Sequence, residues 1–436
     1  MKKLLSLVLA MVMLMACAAP ALADEGSEPD WTEYDALVAE IKSTTDFVER
    51  EALLHKAEDI LMATYAVVPL YYYNDLYMQK SNVEGIYANL FQTKFFAYAT
   101  KTGDNADTLR VNIASEPDFL DPALNSSVDG ACLAGLYTYD STGSLVPALA
   151  ESYEMSEDGL TYTFTLKDDL KWSDGSKLDA NDFVYSWKRA ANPETAADYA
   201  YMLNGIAGYP EDLQVSASED GKVFTVVLSA PCAYFLDLAA FPTFLPVQQA
   251  YVEANSTADK PGAWCTEAGF VSNGAFTLTE WKHNESMTYT KNPNWYDADK
   301  VTIDKIEFML SADDTAIYAA YQAGDLDFAD SVPTDMIASL KEDPEFHVID
   351  ALGTYYAAFN VTSKLFDGKT VEQANAMREA FSKLIDRQYI IDTVGQTEQK
   401  VATSYIPAGM MDGHGGVFKQ SDVEYTYPVG DGYYDE

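Results

Sequence analysis

Apolar positions recur at helical spacing soon after residue 34. Leu37 and Ile41 stand four apart, and Asp46 with Glu49 makes a capping pattern ahead of Ala52, Leu53, Ala57, Ile60 and Leu61, which share one face. The period then changes. Residues 67–73 form a continuous aromatic and β-branched run, which predicts a buried strand; Pro69, lacking an amide for a ladder, places it at an edge or a strand start. The stretch 101–107 (KTGDNAD) is a soft boundary, after which Leu109, Val111 and Ile113 alternate with polar residues as in a strand. From 146 to 229 the signals are those of hairpins. The tetrapeptide SEDG occurs at 156–159 and again at 218–221, each time ahead of an alternating run: Tyr162, Phe164, Leu166 and then Val223, Thr225, Val227. The Asp-Gly pair supplies the positive φ that a tight hairpin needs. Residues 181–189 between the two copies read as a helix. Strand signals return at Phe276/Leu278 and at Ile306/Phe308/Leu310, and helices are expected at 312–323 and 371–392. In the second of these, Ala374, Met377, Phe381, Leu384 and Ile385 fall on one face, the face expected to be buried. The stretch 409–436 is rich in Gly, Asp and Tyr and predicts no regular element.

The N-terminus reads differently. Lys2 and Lys3 precede an apolar run from Leu4 to Ala16, which has the length of a signal peptide and is too short to span a bilayer. Two cleavage patterns overlap. Leu14-Met15-Ala16-Cys17 resembles a lipoprotein box, with Cys17 as the residue to be lipidated, and Ala21-Leu22-Ala23 is an ordinary A-x-A site. Both predict an exported protein, either a cell-surface lipoprotein on the outer face of the cytoplasmic membrane or a periplasmic one. Residues 24–31 then read as a polar tether.

Composition narrows the function classes. The 436 residues carry 28 Lys+Arg against 68 Asp+Glu, a formal charge of -40, while 48% are hydrophobic. Such a chain buries a large core, and it lacks the basic face that nucleic acid or an anionic membrane surface requires. Any membrane attachment is expected through the lipid anchor alone. Thirty tyrosines supply rigid amphipathic contact area, suited both to half-buried strands and to an adaptable binding surface. Beyond Cys17 the cysteines are Cys132, Cys232 and Cys265. Export permits disulfides, and Cys232 with Cys265 is the favoured pair, leaving Cys132 as a buried thiol; other pairings stay open.

Catalytic signatures are missing. There is no GxxxxGK[ST], HExxH, GxSxG or EF-hand loop. His55, His283, His347 and His414 are scattered, and no cysteine pair has CxxC spacing, so neither a metal site nor a cofactor is expected. Gly413-His414-Gly415-Gly416 reads as a flexible turn, and Asp325, Asp327 and Asp330 as a solvated one. The chain is therefore not expected to be an enzyme.

Three segments carry a family resemblance. The first is Leu109-Arg110-Val111-Asn112-Ile113 with Glu116-Pro117 and Leu120-Asp121-Pro122. The second runs from Val146-Pro147-Ala148-Leu149-Ala150-Glu151 through Lys171-Trp172-Ser173-Asp174-Gly175 to Asp182-Phe183-Val184-Tyr185-Ser186-Trp187-Lys188-Arg189. The third is Ser272-Asn273-Gly274-Ala275-Phe276 with Asn292-Pro293-Asn294-Trp295-Tyr296 and Ala323-Gly324-Asp325-Leu326-Asp327. Together they resemble the extracytoplasmic solute-binding proteins of peptide ABC importers, family 5, over residues 108 to about 410. Residues 32–100 are similar to that family's C-terminal end, notably Tyr34-Asp35-Ala36-Leu37 and Val68-Pro69-Leu70-Tyr71-Tyr72-Tyr73-Asn74. The order thus looks circularly permuted, with a stretch of roughly a hundred residues of the second lobe absent.

The resemblance implies an α/β, two-lobed periplasmic-binding-protein-like (type II) fold with an extra hairpin-rich subdomain and an incomplete second lobe. Its expected parts are the signal peptide 1–23, the tether 24–31, the permuted segment 32–100, a first lobe of 108–145 and 269–345, the hairpin subdomain 146–268, and a partial second lobe 346–436. It implies a monomer that captures an extended peptide non-covalently between closing lobes and delivers it to the membrane permease of an ABC importer. By resemblance, Ser126, Ser127 and Val128 pair with the ligand backbone, Tyr199 and Asn273 line the site, and Tyr356 and Tyr73 form an aromatic wall. The family's aspartate for the peptide α-amino group falls in the absent stretch. The alternatives are the same class of protein with a non-peptide solute, or a rearranged chain that acts as an interaction module or has no function.

Overall fold

The computed structural model describes residues 27–89, 92–112, 115–117, 119–124 and 131–420. They form two compact units, one of residues up to Asp75 together with Val348 onward, the other Leu76–His347. The helices are α1 (Thr32–Ser43), α2 (Phe47–Ala63), α3 (Ala180–Ala191), α4 (Asp314–Ala323) and α5 (Val371–Lys383), with shorter turns between. The main strands are β1 (Val67–Gln79), β2 (Thr108–Asn112), β3 (Ala150–Met155), β4 (Thr161–Leu166), β5 (Val215–Ala217), β6 (Val223–Val227), β7 (Phe276–Lys282), β8 (Ser286–Lys291), β9 (Lys305–Met309), β10 (Phe328–Ala329) and β11 (Phe346–Ala358). One seven-stranded sheet has the order β7-β8-β9-β2-β10-β1-β11, and a four-stranded sheet has the order β5-β6-β4-β3. The fold is α/β, as expected. Among the described residues no helix is long and apolar enough to cross a membrane.

In the unit Leu76–His347, β2 runs parallel to β9, Leu109 opposite Ile306 and Val111 opposite Phe308, and parallel to β10. The alternating residues Leu109, Val111, Ile306, Phe308 and Phe328 are all buried. Phe96 packs edge-on against Phe308 at 5.8 Å and Phe328 at 6.2 Å. Residues 76–100 therefore belong to this core, and the segment 32–100, expected as one piece, is divided at Asp75. The two SEDG turns are built alike. In each the serine carbonyl accepts from the glycine amide at 2.9 Å, the glycine has positive φ, and the serine hydroxyl donates to the aspartate, at 2.5 and 2.6 Å. The first turn joins β3 to β4 and the second β5 to β6, as the sequence predicts. Helix α3 is started by an Asp179/Asp182 capping box. It buries Phe183 and Trp187, and the Trp187 indole donates to the Phe244 carbonyl at 2.8 Å.

The acids after α4 are not a solvated turn, except for exposed Asp325. Asp327 is buried, bonded to Lys101 at 2.9 Å and to the Arg110 guanidinium at 2.7 and 3.0 Å. Lys94 pairs with Asp330 at 2.9 Å. Such spacing looked like turn chemistry because the partners lie more than two hundred residues earlier, out of reach of any local pattern.

In the other unit, α1 and α2 pack through Leu37, Ile41 and Ala57, and Asp46 caps α2 through the amides of Val48 and Glu49. The first half of β1 pairs with a late segment: the Tyr72 amide donates to Lys400 O at 2.9 Å and the Ala402 amide to Leu70 O at 3.1 Å. The helix expected over 371–392 breaks. Helix α5 stops at Lys383, and Asp386 caps a new turn through the Tyr389 amide. Its buried face is Ala374, Arg378 and Ser382, whereas Phe381 and Leu384, expected inside, are 40% and 72% exposed. The reason is that two arginines face inward. Arg378 Nε donates to Thr64 O at 2.9 Å, and Arg387 Nε donates to Pro69 O at 2.8 Å. Both are at most 3% exposed, and they tie the early segment to the late one.

Candidate functional site

The motif residues of the larger unit converge on the chain around 120–134. Asp121 is completely buried; its Oδ1 accepts from Arg189 Nη1 at 3.0 Å and its Oδ2 from the Trp264 indole at 2.8 Å. Residues 131–134 lie against 273–276. The Gly274 amide donates to Cys132 O at 2.9 Å and the Phe276 amide to Ala131 O at 3.0 Å. The Asn273 side chain treats one residue as a strand partner would. Its Oδ1 accepts from the Ala134 amide at 3.0 Å and its Nδ2 donates to the Ala134 carbonyl at 2.9 Å. A Cβ at Gly274 would stand 2.4 Å from the Cys132 carbonyl carbon, so only glycine permits this approach. The chain is thus pinned immediately before and after 125–130. Ser126, Ser127 and Val128 fall in that stretch and lie outside the described residues, as does Cys17.

Tyr199 is half-buried, its ring 5.4 Å from Phe241 and 5.9 Å from Tyr201. An open groove of about 530 Å³ in the same unit is lined by Lys167, Asp168, Lys177, Asp179 and Lys222 among others, and neither Tyr199 nor Asn273 is among its described lining residues.

The smaller unit carries a tyrosine cluster. Tyr71 and Tyr73, two apart on β1, share a face. Tyr71 stacks on Tyr355 with centroids 4.9 Å apart and planes within 4°, and Tyr73 meets Tyr71 and Tyr355 edge-on at 5.9 Å. Gly353 leaves the space Tyr73 fills, since a Cβ there would come within 2.7 Å of its ring. Burial, with Tyr73 and Tyr355 adding to it, pushes the Tyr71 hydroxyl up to about 12, so it is uncharged at neutral pH. Tyr356 points the other way. Its ring is 5.2 Å from Tyr405, beside Leu61 and Met62. The structure therefore joins Tyr73 to Tyr71 and Tyr355, and not to Tyr356. The two-residue period of a strand puts Tyr71 on the face of Tyr73, although only Tyr73 was expected there. Choosing between Tyr355 and Tyr356 needed the register, which one residue's slip inverts.

The cysteine pairing is corrected: Cys132, Cys232 and Cys265 are all thiols. Cys265 is fully buried and its Sγ donates to Gly262 O at 3.5 Å. Burial pushes this thiol well above its usual range, with Asp121 adding to the effect. Cys232 sits elsewhere, its carbonyl accepting from the Tyr162 hydroxyl at 3.3 Å. Nearness in sequence misled, because the chain between them folds into separate packing environments.

Residues 144–428 match the family described as bacterial extracellular solute-binding proteins, family 5. The chain is 36% identical over 347 residues to the oligopeptide-binding protein OppA of Bacillus subtilis, covering 74% of this chain and 61% of that protein. It is 31% identical over 336 residues to the dipeptide-binding protein DppE of the same organism, covering 73% and 59%. Among solved structures it resembles Haemophilus influenzae OppA in complex with the peptide RPPGFSPFR, at a TM-score of 0.61 and 30% identity over 71% of this chain and 61% of that one. The chain thus spans about three fifths of the length of the relatives it matches.

Proposed function

The chain belongs to the family-5 bacterial extracellular solute-binding proteins, and from that premise we propose that it captures peptides outside the cytoplasm for delivery to the permease of an ABC importer. Binding is non-covalent, and the relatives it matches are binding proteins, not enzymes. Cys17 is the lipid anchor, and the protein acts as a monomer. The observation that carries the reading is the construction around 131–134. Residues of the family motif spend their polar groups on holding a backbone segment: Asn273 on Ala134, Gly274 on Cys132, and Arg189 and Trp264 on Asp121. A protein that reads a peptide by its main chain needs a main-chain strip held rigidly, because preorganisation lowers the entropy cost of binding. In this reading Ser126, Ser127 and Val128, between the held segments, pair with the peptide backbone. Asn273 is a positioning residue that fixes Ala134, Tyr199 lines the site, and Tyr73, grouped with Tyr71 and Tyr355, supplies aromatic surface for side chains of varied kind.

A thermal-shift screen of the full chain tests this with a mixed tri- to pentapeptide library, a sugar set and a set of metal chelates. A ligand that binds only the folded state at about a hundred times its Kd adds roughly 2.7 kcal/mol of stability. The expected result is a rise in Tm with peptides alone. A rise with sugars or chelates and none with peptides overturns the peptide assignment and leaves the family.

A further inference from the structure

The loop Gly413-His414-Gly415-Gly416 is not explained by peptide capture. It wraps one carboxylate. Asp412 Oδ1 accepts from the amides of His414 at 2.8 Å and Gly416 at 2.9 Å. The glycines are sterically required: a Cβ at Gly416 would stand 2.4 Å from Asp412 Oδ2, and one at Gly413, where φ is +86°, 2.3 Å from the Phe47 ring. The result is a side chain only 3% exposed, with its second oxygen turned to the His414 imidazole at 3.5 Å. The same imidazole nitrogen, Nε2, is 2.7 Å from Glu51 Oε2 on α2. On the far side of Glu51, Oε1 is 3.6 Å from His55 Nε2, and His55 is fixed by stacking on Phe418 at 3.9 Å.

Two carboxylates therefore aim at one ring nitrogen. A proton on that nitrogen is donated well to only one of them, and at 3.5 Å Asp412 Oδ2 is left with a charge contact in place of a close hydrogen bond. A cation between the three atoms satisfies all of them together. The donor atoms of Glu51, Asp412 and His414 lie within 4.8 Å of one another. Ligands held at about 2.0–2.2 Å from a tetrahedral ion stand roughly 3.3–3.5 Å apart. The Asp412–His414 separation already has that value, and the Glu51 contact needs to open by less than an ångström. Two carboxylates and a neutral imidazole carry the charge of one divalent ion. An imidazole with so few oxygens is poor for calcium, which takes six to eight oxygen ligands, and suits zinc-class ions. We propose that Glu51, Asp412 and His414 form a binding site for one divalent transition-metal ion of the zinc class, with water completing the coordination and His55 orienting Glu51. The ion joins α2 to the loop 412–416.

The test uses the full chain after chelator treatment, titrated with zinc chloride by calorimetry and followed in a long-range ¹H–¹⁵N spectrum, which is simple because the chain has only four histidines. One equivalent is expected to bind in the micromolar range or tighter and to shift the His414 ring, leaving His283 and His347 unchanged. Asp412→Asn and His414→Gln each lower the affinity by roughly a hundredfold or more. Weak uptake of several equivalents that neither substitution alters overturns the site, since a net charge of -40 collects cations without one. The spectrum of the unmutated protein decides even where a variant does not fold: a His414 ring unmoved at one equivalent of zinc overturns the proposal.

Discussion

The two units hold distant segments together with different chemistry. In Leu76–His347 a continuous apolar cluster built on β2, β7, β8 and β9 does most of it. Its buried charges are paired ones: Asp327 with Lys101 and Arg110, Asp121 with Arg189. In the other unit the apolar clusters among the described residues are small, centred on Leu61, Met62 and Tyr405 and on Leu37, Ile41 and Ala57. There Arg378 and Arg387 reach across to backbone carbonyls of the early segment. The first arrangement follows from hydrophobic period and survives small errors of register. The second depends on a few directional bonds, so each bond carries more of the whole.

This contrast fails or sharpens under specific changes. The largest effect is expected at Asp121→Asn, which leaves the Arg189 charge buried and uncompensated. Breaking a buried pair on one side costs about 3–5 kcal/mol, and amide exchange should show the loss in 76–347 with little change in α1 and α2. Arg387→Ala comes next. It removes donors from Pro69 O, Ser382 O and Ser382 Oγ, and orphaned buried acceptors cost about 1–3 kcal/mol each before relaxation. The faster exchange should be confined to 32–75 and 370–405; equal acceleration in β2 and β9 would remove the distinction between the units.

Acid should act on Glu345, in the larger unit. Partial burial works against its charged form, but donors from Ser81, Tyr321 and Lys80 outweigh that and hold the carboxyl down to about 2. A carboxyl depressed on folding stabilises above its unfolded value, near 4.5, and that contribution is lost as pH falls from there towards 2. The acid limb of the stability curve should therefore lose on the order of 2–3 kcal/mol from this group, and Glu345→Gln should flatten it. A limb of unchanged slope in the variant contradicts the assignment. The smallest effect is expected at Leu384→Ser, within about 0.5 kcal/mol, because the side chain is exposed. A loss above 2 kcal/mol in urea denaturation would restore the face that the helical period predicted.

Much of the larger unit was legible in the sequence. Both SEDG hairpins, the helix read over 181–189 and the alternation of β2 and β9 are local signals, and the structure uses them locally. The smaller unit was harder to read for a physical reason. In α5 the pattern Ala374, Met377, Phe381, Leu384 is a good amphipathic face, yet the inward side carries Arg378 and Ser382. Hydrophobic period assumes that burial follows apolarity, and a buried guanidinium with carbonyl acceptors breaks that assumption. The same holds for the site. Asn273 and Gly274 were identifiable as important by resemblance, but their work, holding Ala134 and admitting Cys132, depends on contacts over a hundred residues away in sequence. The strand period alone puts Tyr71 beside Tyr73, but grouping them with Tyr355 and not Tyr356 rests on a register between segments more than two hundred residues apart.

The central claim is that fixing the backbone at Ala134 through Asn273 serves peptide capture. Calorimetry with one tetrapeptide selected in the thermal-shift screen, on the unmutated chain, Asn273→Ala and Tyr356→Ala, tests it directly. Asn273→Ala frees both polar groups of Ala134 without touching the peptide, and is expected to weaken binding by about tenfold or more. Tyr356→Ala, on the face turned to Tyr405, should leave the affinity within about threefold of the original. Peptide affinity unchanged in Asn273→Ala, with the variant folded by amide exchange, would contradict the account.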